Sequence, residues 1–104
     1  MDRLLSLLGI AQKAGKIESG AFLCEKAIKS RKARIVILAQ DAQKNTVSTI
    51  SNKCTYYNIP YSFYGSKEAL GHAIGMGERS CVAVTDQGFA DGIAYLLSSG
   101  KKEE

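Results

Sequence analysis

The chain has 104 residues, 45% hydrophobic and 23% charged, with 14 Lys and Arg against 10 Asp and Glu for a net charge of +4. That composition is the one expected of an ordinary folded domain, long enough for one core and too short for two. It excludes a charge-rich disordered chain, and no apolar run approaches the ~20 residues of a membrane span.

The N-terminal leucines are interrupted by polar residues and lead to no small-residue cleavage site, so no secretory leader is expected and the expected location is the cytoplasm. The three cysteines, Cys24, Cys54 and Cys81, are odd in number and widely spaced. They form neither a disulfide frame nor a C-x-x-C metal or redox motif, and are read as core thiols. The expected cofactor and metal content is none, with no membrane partner. A small positive excess biases a protein toward polyanions, but its distribution says more. Lys13, Lys16, Lys26, Lys29, Arg31, Lys32 and Arg34 fall within one quarter of the chain, a local cluster that reads as a polyanion-facing patch or as one solvated helix face.

In chain order, Asp2 is placed to cap a first helix whose Leu4, Leu5, Leu7, Leu8 and Ala11 cover more than half its circumference, with Gly15 where a left-handed C-terminal residue belongs. Residues 16–18 are expected as a brief extended link. Ser19 then caps a helix over residues 19–30, with Leu23, Cys24, Ala27 and Ile28 inward and Phe22, Lys26 and Lys29 outward. An outward ring among lysines forfeits the burial that normally stabilises an aromatic. It suggests a surface that meets something anionic and stackable.

The run ARIVILA at 33–39 has the length and β-branching of a central strand covered on both faces. A helix over 42–57 is expected to turn Val47, Ile50, Cys54 and Tyr57 inward. A strand through Tyr64 is expected to open at Ile59 and Pro60. Ser66 caps a further helix burying Leu70, Ala73 and Ile74, and a mobile loop over 75–80 leads into the apolar strand 81–84. Thr85 or Asp86 starts a last helix with Phe89, Ile93, Leu96 and Leu97 inward. The alternation of strands and helices predicts an α/β fold, a three-layer α/β/α sandwich around a small mixed four-stranded sheet. One domain is expected over 1–98, followed by a polar tail at 99–104.

The chemical candidates are few. Asp41 and Asp86 each follow an apolar strand, where sites gather in open α/β sheets, but an acid there also caps the next helix and neither has a catalytic neighbour in sequence. A small hydrolase or nucleotide binder built on them would need a pocket between strand ends. His72 reads as a helix-surface residue. Gly71, Gly75 and Gly77 close a helix instead of opening one, so they do not form a phosphate loop. The start of the Ser19 helix offers free N–H groups and a positive dipole, and Gly20 allows another backbone to approach. The loop 75–80 meets that helix start if the two apolar strands run parallel.

The AGK-x-x-x-G opening, the lysine six residues after Gly20, the strand ending in LAQDA, and SKEALGHAIG followed by CVAV together resemble the kink-turn-binding ribosomal protein family of L7Ae type. The closing VAVTDQGFA is similar to its bacterial YlxQ-like group. The resemblance covers most of the chain and implies a non-catalytic α/β/α domain, associated with the ribosome, that binds kinked or internal-loop structured RNA, rRNA among the targets. The family's Gly-x-Asn-Glu-x-x-Lys segment falls on Gly20 to Lys26, with Phe22 and Leu23 where the family keeps Asn and Glu. Neither can make the polar contacts by which that pair reads a standard kink-turn, so altered specificity is expected. The resulting expected RNA surface is Gly20, Phe22, Lys26, Lys29, Arg31, Lys32, Met76 and Arg79. The alternative is a protein-interaction module in which the same ring anchors a partner inside a rim of lysines.

Overall fold

The computed structural model of the chain describes residues 2–102. The elements run α1 (Arg3–Lys13), β1 (Ile17–Ser19), α2 (Ala21–Lys29), β2 (Ile35–Leu38), α3 (Lys44–Tyr57), β3 (Tyr61–Phe63), α4 (Lys67–Ala73), β4 (Cys81–Val84) and α5 (Gln87–Lys102). One mixed sheet has the order β1-β4-β2-β3, with β4 antiparallel to both neighbours and β3 parallel to β2. The two apolar runs are the two central strands, and every residue of each is buried. This is the covered-on-both-faces pattern that a continuous β-branched run implies.

Alternation along β2 divides the core. Ile35, Ile37 and Ala39 face a layer of α1, α4 and α5 that supplies Leu4, Leu8, Leu70, Ala90 and Ile93. Val36 and Leu38 face α2 and α3, which supply Cys24, Ala27, Ile28, Ile50 and Cys54. The α/β/α sandwich is therefore built as the hydrophobic periodicities require.

Local chemistry sets the boundaries. Asp2 caps α1 by accepting from the Leu5 N–H at 2.9 Å, and its other carboxylate oxygen accepts from the Tyr64 hydroxyl at 2.6 Å, tying α1 to the end of β3. That bond holds the Tyr64 phenol in its protonated form, pushing its pKa up to about 12. Ser66 caps α4 through the Ala69 N–H, Asp86 caps α5 through the Phe89 N–H, and Asn58 ends α3 in the left-handed conformation.

Several expectations are corrected. The link at 16–18 is the fourth strand, paired along β4. Ser19 belongs to that strand and does not cap α2; Gly20 takes the N-cap position at φ 91 and ψ 158, a region only glycine enters readily. Leu23 stays 40% exposed, because α2 starts two residues late and only Cys24, Ala27 and Ile28 reach the sheet. Asp41 caps no helix of its own: its carboxylate accepts from the Lys67 N–H at 2.8 Å, at the start of α4, while α3 begins at Gln43 without a side-chain cap. Helix α5 runs on to Lys102, so the expected tail at 99–104 begins inside a helix, and residues 103 and 104 lie outside the described ones.

The three cysteines, distant in sequence, are gathered in the α2/α3 half of the core, all free and fully buried. The neighbouring Cys81 thiol and burial hold the Cys24 thiol well above its ordinary range, and burial pushes Cys54 up to about 11. Thiolate is the reactive form, and neither Cys24 nor Cys54 reaches it near neutral pH. At pH 8 the folded chain should leave all three thiols unmodified by Ellman's reagent while the guanidinium-unfolded chain exposes all three; rapid labelling of the folded chain would contradict this burial.

Candidate functional site

The site is assembled at one edge of the sheet. Ser19 pairs with Val82 and Leu38 with Cys81, so β1 and β2 end where β4 begins. The loop 75–80 and the start of α2 therefore meet. They meet because β2 and β4 are antiparallel, the reverse of the condition set from the sequence, since a helix that precedes β2 starts at the far end of β2, where an antiparallel β4 begins. The joint is closed by the Gly20 N–H donating to the Cys81 carbonyl at 3.0 Å.

The loop does not swing free. Met76 N–H donates to the Gly71 carbonyl and Arg79 N–H to the Lys67 carbonyl, which folds it back along α4. Gly71 makes this possible, since a Cβ there would lie 1.9 Å from the Gly77 oxygen. Arg79 then ties the loop to the helix start: its Nε donates to Ser19 Oγ at 3.1 Å and its Nη1 to the Glu78 carbonyl at 3.0 Å. A guanidinium carries five donor hydrogens, so its Nη2, without a partner among the described residues, is open to an anion. Ser19 is a positioning residue whose sequence context is that of a cap; nothing local distinguishes the two roles.

Helix α2 enters this edge with no side chain capping it, so its first-turn amides and positive dipole face outward. Gly20 is needed there for its backbone angle and not for close approach, because an added Cβ would meet only the Arg79 side chain at 4.0 Å. Phe22 is 76% exposed, and with Lys26 and Lys29 it lines one shallow groove along α2. Leaving that ring in water forgoes roughly 1.5–3 kcal/mol of burial. Glu25, unremarked in the sequence, borders the groove and pairs with Lys53 of α3 at 3.6 Å.

The eight expected residues are not one patch. Gly20, Phe22, Met76 and Arg79 cluster at the sheet edge where β4 begins, and Lys26 and Lys29 continue down α2. Arg31 and Lys32 lie past the end of α2, toward the opposite edge. There Arg31, at φ 63, places its guanidinium 5.3 Å from the centre of the Tyr57 ring. The acids of the enzyme reading are separated more decisively. Asp41 follows the end of β2 and Asp86 the end of β4, and these strands are antiparallel, so the two lie at opposite edges of the sheet. Each accepts a backbone N–H. His72 is exposed on α4, in a groove between α1 and α4. Among the described residues no group of three His, Cys, Asp or Glu could hold a metal ion, and no helix is long and apolar enough to cross a membrane.

Fold and face together define a small α/β/α domain that presents a cationic, ring-bearing helix beside an anchored loop. Residues 2–94 match the Ribosomal protein L7Ae/L30e/S12e/Gadd45 family, and the chain belongs to that family. It is 45% identical over 91 residues to the RNA-binding protein YlxQ of Bacillus subtilis (strain 168), covering 88% of this chain and 91% of that one. It is 34% identical to the RNA-binding protein YlxQ of Enterococcus faecium, over 92% of both. Among solved structures, a Bacillus halodurans C protein of unknown function superposes with a TM-score of 0.90 at 36% identity, covering 94% of this chain and 99% of that one. The Giardia lamblia 15.5kD RNA binding protein gives 0.76 at 26%, covering 92% and 82%.

The backbone at Gly20 supplies a direct test of how this edge is held. Gly20→Ala should lower stability by about 1–3 kcal/mol, the usual cost of a side chain in a glycine-only region, seen as a lower urea midpoint with unchanged slope. An unchanged midpoint would mean that the β1 to α2 turn relaxes without cost.

Proposed function

We propose that this protein is a non-catalytic RNA-binding domain whose recognition surface is the start and outer face of α2 together with the loop 75–80. The observation that carries the reading is the exposed Phe22, set between an uncapped helix start and two exposed lysines, with Arg79 and Met76 in the loop that meets this helix start. Helix N-termini and Lys or Arg side chains position phosphates. An exposed ring stacks on bases that have left a regular helix, which are found in internal loops, bulges and kinks. The relatives named as RNA-binding proteins support the same reading.

Structured RNA with an internal loop or kink is the substrate class proposed. Phe22 and Leu23 stand where the resembled family keeps its Asn and Glu, so the base code differs: a ring and an exposed aliphatic side chain replace two polar readers, and stacking replaces hydrogen bonding to sheared guanines. Gly20, Phe22, Lys26, Lys29, Met76 and Arg79 hold the loop of the RNA, and Arg31 and Lys32 follow the phosphates away from it. Association with ribosomal RNA in the cytoplasm is the setting this reading favours. A protein-interaction role is the second reading, and the exposed Leu23 next to Phe22 is what favours it.

Crosslinking in cells followed by sequencing of the bound RNA tests the proposal. The double variant Lys26→Glu, Lys29→Glu should lose retained RNA. In vitro it should lower the slope of log K against log salt by roughly 0.7–0.9 for each phosphate that is no longer neutralised. Unchanged retention in that variant would overturn the assignment, and capture of a partner that resists both salt and ribonuclease would favour the protein-interaction reading.

A further inference from the structure

The groove along α2 does not end at the helix. Strands β1 and β2 both run antiparallel to β4, so α2 and α3, which follow them on the same face of the sheet, run side by side in the same direction. A second shallow groove lies along α3, lined by Thr49, Asn52, Lys53, Tyr56 and Tyr57. The Glu25–Lys53 pair joins the two, with Glu25 on the wall of one and Lys53 on the wall of the other.

Phe22 lies three residues before Glu25, and Tyr56 three residues after Lys53. At 1.5 Å per residue this sets one ring a turn above the ion pair and the other a turn below it, ~9 Å apart along the common helix direction. The rings are 76% and 78% exposed, the two most exposed large apolar side chains described. Tyr56 is nevertheless held: Tyr57 meets it edge to face at 4.8 Å between centroids, and the Arg31 guanidinium covers Tyr57 in turn. Arg31 sits in a Schellman turn at φ 63, its N–H bonded to the Ile28 carbonyl and the Lys32 N–H to that of Ala27, where glycine would be unstrained. Arg31 is exposed, yet its backbone is fixed by that turn, so the guanidinium is kept at the Tyr57 ring.

We infer that the joined α2/α3 face is a track for a single-stranded RNA segment, with bases stacked on Phe22 and Tyr56 and phosphates met by Lys29, Lys53 and Arg31. This inference rests on the RNA-binding reading above and extends it to the strand that leaves the structured element. Single strands are held by spaced rings within a cationic groove, and a ring braced in advance loses little freedom on stacking. The Glu25–Lys53 pair is about one-third exposed, and such pairs are weak, so Lys53 turns to a phosphate at little cost.

The test is fluorescence anisotropy on the full chain with two labelled probes: oligouridine of about ten nucleotides, and a blunt-ended stem carrying an asymmetric internal loop. Thr49 and Tyr56 are exposed on α3, so Tyr56→Ala and Thr49→Glu should keep the melting temperature. Tyr56→Ala should weaken oligouridine about tenfold, within the range that losing one stacked base costs, and Thr49→Glu should weaken it by setting a negative charge in the groove, both leaving the blunt stem unaffected; Tyr56→Phe should bind like the wild type. Oligouridine binding unchanged in both variants, with the stem still bound, overturns the track and leaves the proposed function standing. Failure of the wild type to bind the stem, with oligouridine bound and sensitive to Tyr56→Ala, supports the track and counts against internal-loop recognition. Failure to bind either probe overturns both.

Discussion

The insertion of β4 between β1 and β2 is the constraint on which the rest of the structure depends. A strand that arrives last and runs against both neighbours brings the end of β1, the end of β2 and its own first residue to one edge. The bond from Gly20 N–H to the Cys81 carbonyl fixes that meeting, and glycine at φ 91 lets the chain turn from β1 into α2 within one residue. With the joint in place, the uncapped start of α2, the Arg79 guanidinium and the Met76 loop face the same solvent. Had β4 run parallel to β2, its leading loop would open at the opposite edge and α2 would stand alone.

The same joint explains why a small domain keeps this edge in one arrangement. The loop 75–80 has no regular secondary structure, yet it is pinned to α4 through the Gly71 and Lys67 carbonyls and to β1 through Ser19. The core beneath carries no buried polar or charged residue among the described ones, so its stability does not rest on a buried ion pair. Charge is kept on the outer faces of α2 and α3 and in the turn that follows α2, where it remains hydrated and costs the fold little. Exposing Phe22 and Tyr56 is the stability forgone for that surface.

Much of the fold was legible in the sequence because its signals are local. The β-branched runs at 33–39 and 81–84, the leucines of α1, the caps at Asp2, Ser66 and Asp86, and the left-handed Gly15 act within a turn or within one strand, and all stand as expected. The candidate surface was legible in part: the outward Phe22, Lys26 and Lys29 follow from helical periodicity alone. Ser19, Asp41 and Leu23 were misjudged because their roles depend on partners distant in sequence. Ser19 binds a guanidinium sixty residues on, Asp41 an amide on α4 twenty-six residues on, and Leu23 is left in water by where the β1 to α2 turn falls.

By itself, then, the sequence determined the number and kind of elements, the two-sided burial of the central strands, and a helix face carrying a ring among lysines. Periodicity, capping and side-chain branching act over a few residues and need no knowledge of neighbours. The tertiary structure alone decided that the loop 75–80 joins α2, that three scattered cysteines share one core layer, that Asp41 and Asp86 lie at opposite edges, and that Tyr56 and Lys53 extend the face of α2. Each of these depends on strand order and direction, which backbone hydrogen bonds between distant segments settle and which no pattern of adjacent residues encodes.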